Sequence, residues 1–344
     1  MKLGITGLAG SGKTTVFEAL TGEFADAGAK TEHRLATIRV PDERIDRLSE
    51  IFKPKKTIYA QVEYFLPGKS SRPKDASKED ATWTVLRDAD ALIHVVRNFK
   101  LFGLETPDPA TDFSALDQEL ILMDLAQTEK RLERMEMDAR KTNKTDPEEK
   151  ELVDACHRIL ESEAPLRHHP ELAGAPKLRG YAFFSGKPML VLFNNEDEDD
   201  GLPAADTAFE KEDRMVIRGK LEHELAQMSP EEAAELLEEF DISASATDRV
   251  VNESYNLLGL ISFFTVGEDE VRAWTIKKGT VAVDAAEVIH SDIKKGFIRA
   301  EVISYDDFMA AGSMAAAKKQ GTLRLEGKTY EVADGDIINF RFNV

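Results

Sequence analysis

The chain has 344 residues, 42% of them hydrophobic, a composition that predicts a globular protein of two or three domains. Its formal net charge of −19 argues against broad binding to nucleic acid or to an anionic membrane, because like charges repel at long range. The sequence has no apolar run near the roughly 20 residues that span a bilayer, no charged and then apolar leader, and only one cysteine, Cys156, so we expect a cytoplasmic protein without a membrane partner.

The first motif is a phosphate loop, the glycine-rich turn that binds nucleoside triphosphates. Residues 7–15 read GLAGSGKTT, which contains the pattern G-x-x-x-x-G-K-[ST]. A strand is predicted at Lys2–Thr6 and a helix at Thr14–Leu20, which is the order that the motif requires. The alternative, a chance glycine-rich turn, does not explain this order.

The residue types in this loop suit polyphosphate chemistry. Small residues let backbone N–H groups point at the phosphates beside the positive end of the following helix. Lys13 neutralises the outer phosphates and is the predicted catalytic residue, and Thr14 offers a hydroxyl to Mg²⁺. The predicted nucleotide contacts in the loop are Ala9, Gly10, Ser11, Gly12, Lys13, Thr14 and Thr15.

Alternating strands and helices then indicate an α/β fold with a parallel sheet. Ala91–Val96 is predicted as a buried strand, and His94 within it as a hydrogen-bonded core residue rather than a catalyst. From Asp112 to Glu163 the apolar spacing changes to that of helices, with a break at residues 142–147, which predicts a helical hairpin. We leave open whether this hairpin is a structural insert or an arm that binds a partner.

Strands are predicted again at Pro188–Phe193 and Met215–Ile217, and a charged helix at Pro230–Phe240. The acidic run Glu196–Gly201 is interpreted as a solvated loop rather than a metal site. A compact mixed segment follows Phe263. Its predicted elements are a helix near Ala285–His290 and strands at Phe297–Ile303, Thr322–Leu325 and Ile337–Phe342.

Several strings of residues resemble the Obg-like ATPase family, the YchF type of P-loop NTPase. The strongest are EVRAWTIKKGT at 270–280, KKGFIRAEVISYDDF at 294–308 and LEGKTYEVADGDIINFRFNV at 325–344, which are similar to the family's TGS domain. The resemblance implies a P-loop G domain with a parallel sheet at 1–111 and 180–265, a helical hairpin inserted at 112–179, and a C-terminal α+β β-grasp TGS domain at 266–344.

The same resemblance implies further site residues. Thr37 matches the switch-one threonine that caps magnesium, and Mg²⁺ is the implied cofactor. Asn194, Asn195 and Asp197 match the base-reading motif, and Gly219 and Lys220, with Glu222, match the last loop that contacts the nucleotide. A carboxylate accepts two hydrogen bonds from guanine, whereas adenine offers no such paired donors. Asn195 replaces the usual lysine here, so the choice between ATP and GTP stays open.

The chain departs from the family at the second switch, where D-x-x-G is expected. The corresponding string, VEYFLPGK at 62–69, has no aspartate at the required spacing before Gly68, and Lys69 replaces an apolar residue. The loop Asn98–Ala110 lacks the histidine of close relatives. Without these groups, metal binding weakens and hydrolysis slows, because nothing recognisable orients the attacking water. We therefore expect a weak or partner-stimulated ATPase or GTPase.

Three functions compete on this basis. The first is a nucleotide-dependent switch whose TGS domain binds a ribosome or structured RNA, with Lys294, Lys295, Lys318 and Lys319 as candidate phosphate contacts or as ordinary solvated lysines. The second is a catalytically degenerate scaffold that recruits partners through the TGS domain and the hairpin. The third, a small P-loop kinase, is disfavoured because no arginine-rich lid is present. The oligomeric state is open.

Overall fold

The computed structural model describes residues 1–24, 33–68, 83, 85–103, 105–142, 146–239 and 245–343. The chain divides into two compact units, the first formed by 1–36 with 63–250 and the second by 37–62 with 251–344. The predicted division into G domain, hairpin and TGS domain stays a prediction. That prediction assigned residues 37–62 to the G domain and did not group them with the C-terminal residues. No helix in the described ranges is long and apolar enough to cross a bilayer.

Twelve α-helices occur in the described ranges. They are α1 Lys13–Thr21, α2 Glu43–Phe52, α3 Pro109–Thr142, α4 Pro147–Glu161, α5 Pro170–Ala173, α6 Gly219–Leu225, α7 Pro230–Glu239, α8 Ala246–Leu257, α9 Ala282–Ile289, α10 Ser291–Lys295, α11 Tyr305–Ala311 and α12 Met314–Gln320. Short 3₁₀ helices span Leu166–His168 and Pro176–Tyr181.

Twelve strands form two six-stranded sheets. They are β1 Lys2–Thr6, β2 Arg34–Arg39, β3 Lys56–Ile58, β4 Gln61–Leu66, β5 Ala91–Asn98, β6 Met189–Asn195, β7 Asp213–Ile217, β8 Leu260–Val266, β9 Glu270–Lys277, β10 Phe297–Ser304, β11 Arg324–Glu326 and β12 Asp336–Phe342. The first sheet has the order β2-β4-β1-β5-β6-β7 and the second has the order β11-β10-β12-β8-β9-β3.

The first sheet is the predicted parallel sheet of an α/β protein. β1 pairs in parallel with β4 and β5, β5 pairs with β6, and β6 pairs with β7. β6 is buried along its whole length, and so is β5 up to its last residue, as expected for strands covered on both faces. The predicted strands at Lys2–Thr6, Ala91–Val96, Pro188–Phe193 and Met215–Ile217 are therefore confirmed within one or two residues, as is the helix after the phosphate loop.

The predicted helical hairpin corresponds to α3 and α4, which pack against each other. Ile121 and Met135 of α3 share a buried cluster with Val153, Cys156 and Leu160 of α4. Arg131 joins the two helices through an ion pair of 2.7 Å with Glu149. The predicted break is described in part, because residues 143–145 lie outside the described ranges.

Buried polar contacts fix the hairpin within the first unit. The carboxylate of Asp124 in α3 accepts hydrogen bonds from the N–H groups of Phe184 (3.0 Å) and Ser185 (2.7 Å) and from the Ser185 hydroxyl (2.7 Å). Burial raises the pKa of Asp124 to about 6. The guanidinium of Arg167 binds Asp117 at 2.7 Å and Glu212 at 2.8 Å. These contacts tie the start of α3 to the loops that flank β6 and β7.

The second unit contains a β-grasp. Two strands, a helix and three further strands follow one another along the chain, and the five strands belong to one sheet that the helix packs against. β8 and β9 are an antiparallel pair, β12 joins β8 in parallel, and β10 joins β12 and β11 in antiparallel orientation. α9 supplies Ala282, Ala285 and Ala286 to the core of this sheet. β8 lies before the predicted start of the TGS domain at 266, and the strand predicted at Thr322–Leu325 begins at Arg324.

Residues 37–62 extend the second unit. β3 pairs in parallel with β9, so Lys56 lies opposite Glu270 and Ile58 opposite Arg272. In α2, Arg44 forms an ion pair of 2.7 Å with Asp334. Phe52, at the end of α2, stacks on Phe308 with ring centroids 5.5 Å apart. This segment is therefore built into the sheet and core of the C-terminal unit.

His94 is buried as predicted, but the predicted hydrogen bonds are absent. Neither ring nitrogen has a hydrogen-bond partner within the described ranges, and the ring stacks on Phe113 with centroids 5.3 Å apart. Burial lowers the pKa of His94 to about 3, and the positive charges of Arg167 and Lys13 contribute. The ring therefore packs as a neutral aromatic group in the core.

This burial predicts a pH dependence of stability. Between pH 6.5 and 3 the unfolded chain binds a proton at position 94 that the folded chain does not, so the free energy of unfolding falls as the pH falls. The expected loss between pH 7 and pH 5 is about 2 kcal/mol. His94→Phe should remove this part of the dependence in urea unfolding curves recorded at both pH values. His169→Gln, at a half-buried position whose side chain is 41% exposed, is the control, and an unchanged slope in His94→Phe would contradict the assignment.

Candidate nucleotide-binding site

The candidate site lies where four parallel strands of the first sheet end. The phosphate loop follows β1, Asn98 ends β5, Asn194 and Asn195 end β6, and Gly219 follows β7. Ligands of open α/β sheets bind outside the carboxyl ends of the strands. The fold thus brings the sequence-predicted residues at 9–15, 194–197 and 219–220 to the same edge of one sheet.

The phosphate loop is held by its own lysine and by tight glycine packing. The ammonium of Lys13 donates to the carbonyl oxygens of Gly7 (2.6 Å) and Leu8 (2.7 Å). Gly7 and Gly12 have φ angles of 145° and 90°, which favour glycine. A Cβ on Gly7 would clash with the Val95 carbonyl, and one on Gly12 would clash with the Asn194 side chain. The pattern therefore needs glycine at both positions.

The start of α1 suits an anion. Gly12 precedes the helix, no side chain caps it, and the first turn contains no acidic residue. The first N–H groups of a helix lack intrahelical partners and lie at its positive end, so they attract phosphate. Lys13, Thr14 and Thr15 are half-buried there, and Ala9 and Gly10 are exposed. Ser11 is buried, so only its backbone suits the predicted contact.

Asn194 joins the phosphate loop to the loop after β7. Its amide nitrogen donates to the Ser11 carbonyl at 3.1 Å, and its amide oxygen accepts from the Gly219 N–H at 3.0 Å. The side chain is buried, and a Cβ on Gly219 would lie 2.6 Å from its oxygen. Asn194 therefore fixes the spacing between the loop that suits phosphates and the loop predicted to contact the base.

Asn195 has a different environment from the one expected of a base contact. It is buried, its oxygen accepts from the Asn98 amide at 2.9 Å, and its amide donates to the Gly201 carbonyl at 2.8 Å. These bonds hold the ends of β5 and β6 together and shape the acidic loop. Asn98 is a structural partner that sequence reasoning missed, and only its position opposite Asn195 in the β5–β6 register indicates it.

The carboxylate of Asp197 is engaged by the loop after β7. It accepts from the Lys220 ammonium at 3.1 Å and from the Leu221 N–H at 3.2 Å, one bond on each oxygen. The hydrogen bond to Asp197 raises the pKa of Lys220. These two bonds occupy one acceptor site on each carboxylate oxygen, so a guanine would have to use the remaining site on each or displace Lys220.

Glu222, which sequence comparison placed in the last nucleotide-contacting loop, has a structural role. It is buried, and its carboxylate accepts from the Ala246 N–H at 2.7 Å, from the Thr247 hydroxyl at 3.0 Å, and from the Ser245 hydroxyl. These donors lie at the start of α8. Glu222 therefore supports the loop that carries Gly219 and Lys220 by fixing the next helix.

The donors for a magnesium ion are few. Thr14 lies in the first turn of α1, whereas Thr37 lies exposed in β2 within residues assigned to the second unit. Phe65, at the position that D-x-x-G gives to aspartate, is buried in the core of the first sheet. No group of three or more acidic, histidine or cysteine residues suited to a metal occurs in the described ranges. Magnesium there would depend on the phosphates, waters and Thr14.

Comparisons with known proteins identify relatives of this chain. A family model, YchF-GTPase_C, described as a protein of unknown function, matches residues 260–343. The chain is 37% identical to the ribosome-binding ATPase YchF of Bacillus subtilis (strain 168), with 99% of both chains covered. It is 35% identical to the protein of the same name from Escherichia coli O157:H7, with 100% of this chain and 99% of the relative covered.

A solved structure is also similar over the full length. The structure of the Schizosaccharomyces pombe YchF GTPase superimposes with a TM-score of 0.85 at 28% sequence identity, covering 99% of this chain and 97% of that one. The similarity therefore includes the first sheet with its phosphate loop as well as the C-terminal β-grasp.

The bridge formed by Asn194 can be tested by comparing alanine substitutions at Asn194 and at the adjacent Asn195. Asn194→Ala leaves the buried Ser11 carbonyl and Gly219 N–H without partners, so we expect about 2–4 kcal/mol of lost stability. We also expect at least tenfold weaker ATP binding by calorimetry. Asn195→Ala is the matched variant, because it removes two side-chain hydrogen bonds at the next buried position without affecting Ser11 or Gly219. Equal losses of ATP affinity in both variants would show that Asn195 also contacts nucleotide.

Proposed function

This chain belongs to the YchF family, and we propose that it is a P-loop protein that binds ATP or GTP, hydrolyses it slowly or with a partner's help, and acts as a ribosome-associated switch. Family membership rests on identities of 35–37% to curated relatives over nearly the full length of both chains. Those relatives are named ribosome-binding ATPases, and the similar solved structure is named a GTPase.

Nucleotide binding is supported above all by the bridge of Asn194 between Ser11 and Gly219. It links a loop whose N–H groups suit phosphates to a loop whose residues suit a base, at the carboxyl edge of a parallel sheet. In this proposal Ala9 to Thr15 surround the phosphates and Gly219 and Lys220 lie beside the base. Asp197 is engaged by Lys220, so we propose that the site accepts adenine.

Slow hydrolysis follows from the groups that remain near the phosphates. Lys13 is positioned by two backbone carbonyls and would stabilise negative charge on the outer phosphate oxygens. Magnesium, if bound, would be held by Thr14 and would neutralise the charge of the phosphates. Phe65 cannot orient a water through a carboxylate. Turnover therefore depends on Lys13, the backbone and the helix start, or on a group from a partner.

The distribution of charge favours ribosome contact through the second unit. Residues 1–36 and 63–250 contain 28 basic and 46 acidic residues, a net charge of −18, whereas the second unit has 17 basic and 18 acidic residues, a net charge of −1. A strongly negative unit is repelled by ribosomal RNA, and a neutral one is not. We propose that the C-terminal β-grasp approaches the ribosome in a cytoplasmic setting.

The specific alternative is a scaffold that binds nucleotide without turning it over. Phe65 favours it, because this residue is buried in the core cluster of the first sheet with the strand residues Leu92 and Val96. At this position the side chain contributes to the hydrophobic core and offers no oxygen to a metal ion. Nucleotide would then stabilise the first unit while the second unit and the hairpin recruit partners.

Calorimetric titration with ATP, GTP and their diphosphates tests the nucleotide site. We expect ATP to bind, because the loop and the helix start recognise phosphates independently of the base. Removal of magnesium with EDTA should weaken ATP binding by less than about tenfold, since the chain supplies few metal ligands. Tight GTP binding without ATP binding would contradict the assignment of adenine, and absence of all binding would contradict the site itself.

Single-turnover hydrolysis separates the switch from the scaffold. Lys13→Ala removes the ammonium that meets the phosphates, and we expect triphosphate affinity to fall about 10- to 150-fold, the value of one charge-assisted hydrogen bond. Hydrolysis at saturating ATP should be faster in the wild-type protein than in Lys13→Ala. Lys130→Ala, at an exposed position of the hairpin, serves as the control. If the wild-type protein releases phosphate no faster than Lys13→Ala does, the hydrolytic switch is contradicted and the scaffold function remains.

A further inference from the structure

Two arginines lie directly opposite each other on the second sheet. Arg299 of β10 and Arg341 of β12 are partners in the antiparallel register, and both are exposed. Like charges at directly opposite positions destabilise a sheet. The register also shifts just before Arg299, between Phe297 and Arg299, and such bulges redirect side chains. β10 and β12 therefore carry an electrostatically unfavourable arginine pair at this position of their register.

The surrounding residues only partly neutralise this pair. Glu301 forms an ion pair with Arg341 and also accepts from the Asn339 amide at 2.9 Å. Within the described ranges Arg299 has no ion pair. Lys318 lies close enough to contribute to the lowered pKa of Glu301. Arg341 and Lys318 thus act on the one carboxylate of Glu301, and Arg299 beside them adds a further positive charge to this part of the sheet.

Two other candidate cations of this unit, Lys294 and Lys295, are already paired. Lys294, which the sequence indicated as a phosphate contact, binds Asp284 at 3.0 Å and also Glu287. These bonds raise the pKa of Lys294. Lys295 lies 3.4 Å from Asp292. The arginine pair is therefore the better anion site, because a phosphate there would have fewer carboxylates to displace.

A cavity lined mostly by apolar residues, with Thr265 and Glu270 also in its lining, lies beside two neighbours of the arginine pair. It has a volume of about 580 Å³, and Glu301 and Asn339, the two residues that surround Arg341, are part of its lining. Its walls include Phe52, Val266 and Met314. Leu325 lies opposite Glu301 on β11 and is 61% exposed. Guanidinium groups and an apolar recess are thus next to each other on one unit.

We propose that this surface, which we call the arginine face and define as Arg299, Arg341, Glu301, Asn339 and Leu325, binds single-stranded RNA of the ribosome. The planar guanidinium groups suit bidentate contacts with phosphate oxygens. The cavity suits an unstacked base, which is how proteins recognise single-stranded RNA. The inference deepens the proposed function and rests on its ribosome association. An acidic protein surface would use the cations but would leave the cavity unexplained.

The test compares two pairs of substitutions with the same change of charge in the full-length protein. Arg299→Gln with Arg341→Gln removes the pair. Lys277→Gln with Lys278→Gln removes two exposed lysines at the end of β9, in the same unit, for which the described ranges show no ion pair. Binding to a labelled 20-nucleotide single-stranded RNA is measured by fluorescence anisotropy at several KCl concentrations. Cosedimentation with purified ribosomes is measured in parallel.

We expect the arginine variant to bind the RNA about 10- to 100-fold more weakly, and its slope of log affinity against log salt to become shallower by about 1.4, or 0.7 for each of two phosphates. The lysine variant should change less than threefold. Arg341→Gln relieves the like-charged pair but also breaks the ion pair with Glu301, so urea unfolding of the paired variant is measured to show that it folds. Arg299→Gln alone, which breaks no ion pair, should show about half of the slope change.

Three results would overturn the arginine face. One is equal loss of RNA binding in the two paired variants, and another is competition by polyglutamate as effective as that by RNA, which would indicate an acidic protein partner. The third is unchanged ribosome cosedimentation of the arginine variant, which would leave ribosome association intact. Failure of the wild-type protein to cosediment with ribosomes in any nucleotide state would instead contradict the proposed function, together with the face that depends on it.

Discussion

The candidate site depends on one buried side chain, Asn194. Through its two hydrogen bonds to Ser11 and Gly219, a single amide at the end of β6 sets the separation of loops that follow β1 and β7. Glycine at positions 12 and 219 is required by the same contact, since any Cβ there would meet the asparagine. The phosphate-loop pattern is therefore only partly a local signal, because its last glycine also makes room for a residue 182 positions later.

Much of the first unit could be predicted because its signals are local. The phosphate loop, the apolar strands β5 and β6 and the helical spacing around Ile121 and Cys156 each depend on neighbours within a few residues. The roles of Asn195 and Glu222 could not be predicted in this way. Both occupy positions that family resemblance assigns to the nucleotide loops, yet their hydrogen bonds connect elements distant in sequence. A motif gives the position of a residue and does not give the direction of its side chain.

Nucleotide binding and nucleotide turnover rest on different parts of this chain. Binding depends on backbone groups at the start of α1 and on the glycines of the loop before it, a short segment that does not involve the second switch. Turnover in switch proteins depends on a carboxylate at the second switch, and here the chain uses Phe65 to complete the core of the first sheet. One residue cannot be both a buried aromatic ring and a hydrated metal ligand. The family resemblance therefore supports the first activity more strongly than the second.

The segment 37–62 belongs to the second unit but is flanked in sequence on both sides by residues of the first. It begins at Thr37, the predicted switch-one residue, and then contributes β3 to the sheet that carries the arginine face. Arg44 binds Asp334, whose carboxylate also accepts from the Ser262 N–H at 2.9 Å, so α2 is bonded to the β-grasp by charged groups. A switch residue that responds to the γ-phosphate would act on this unit through the chain itself. In our proposal, coupling of nucleotide state to RNA contact would therefore need no element beyond this segment.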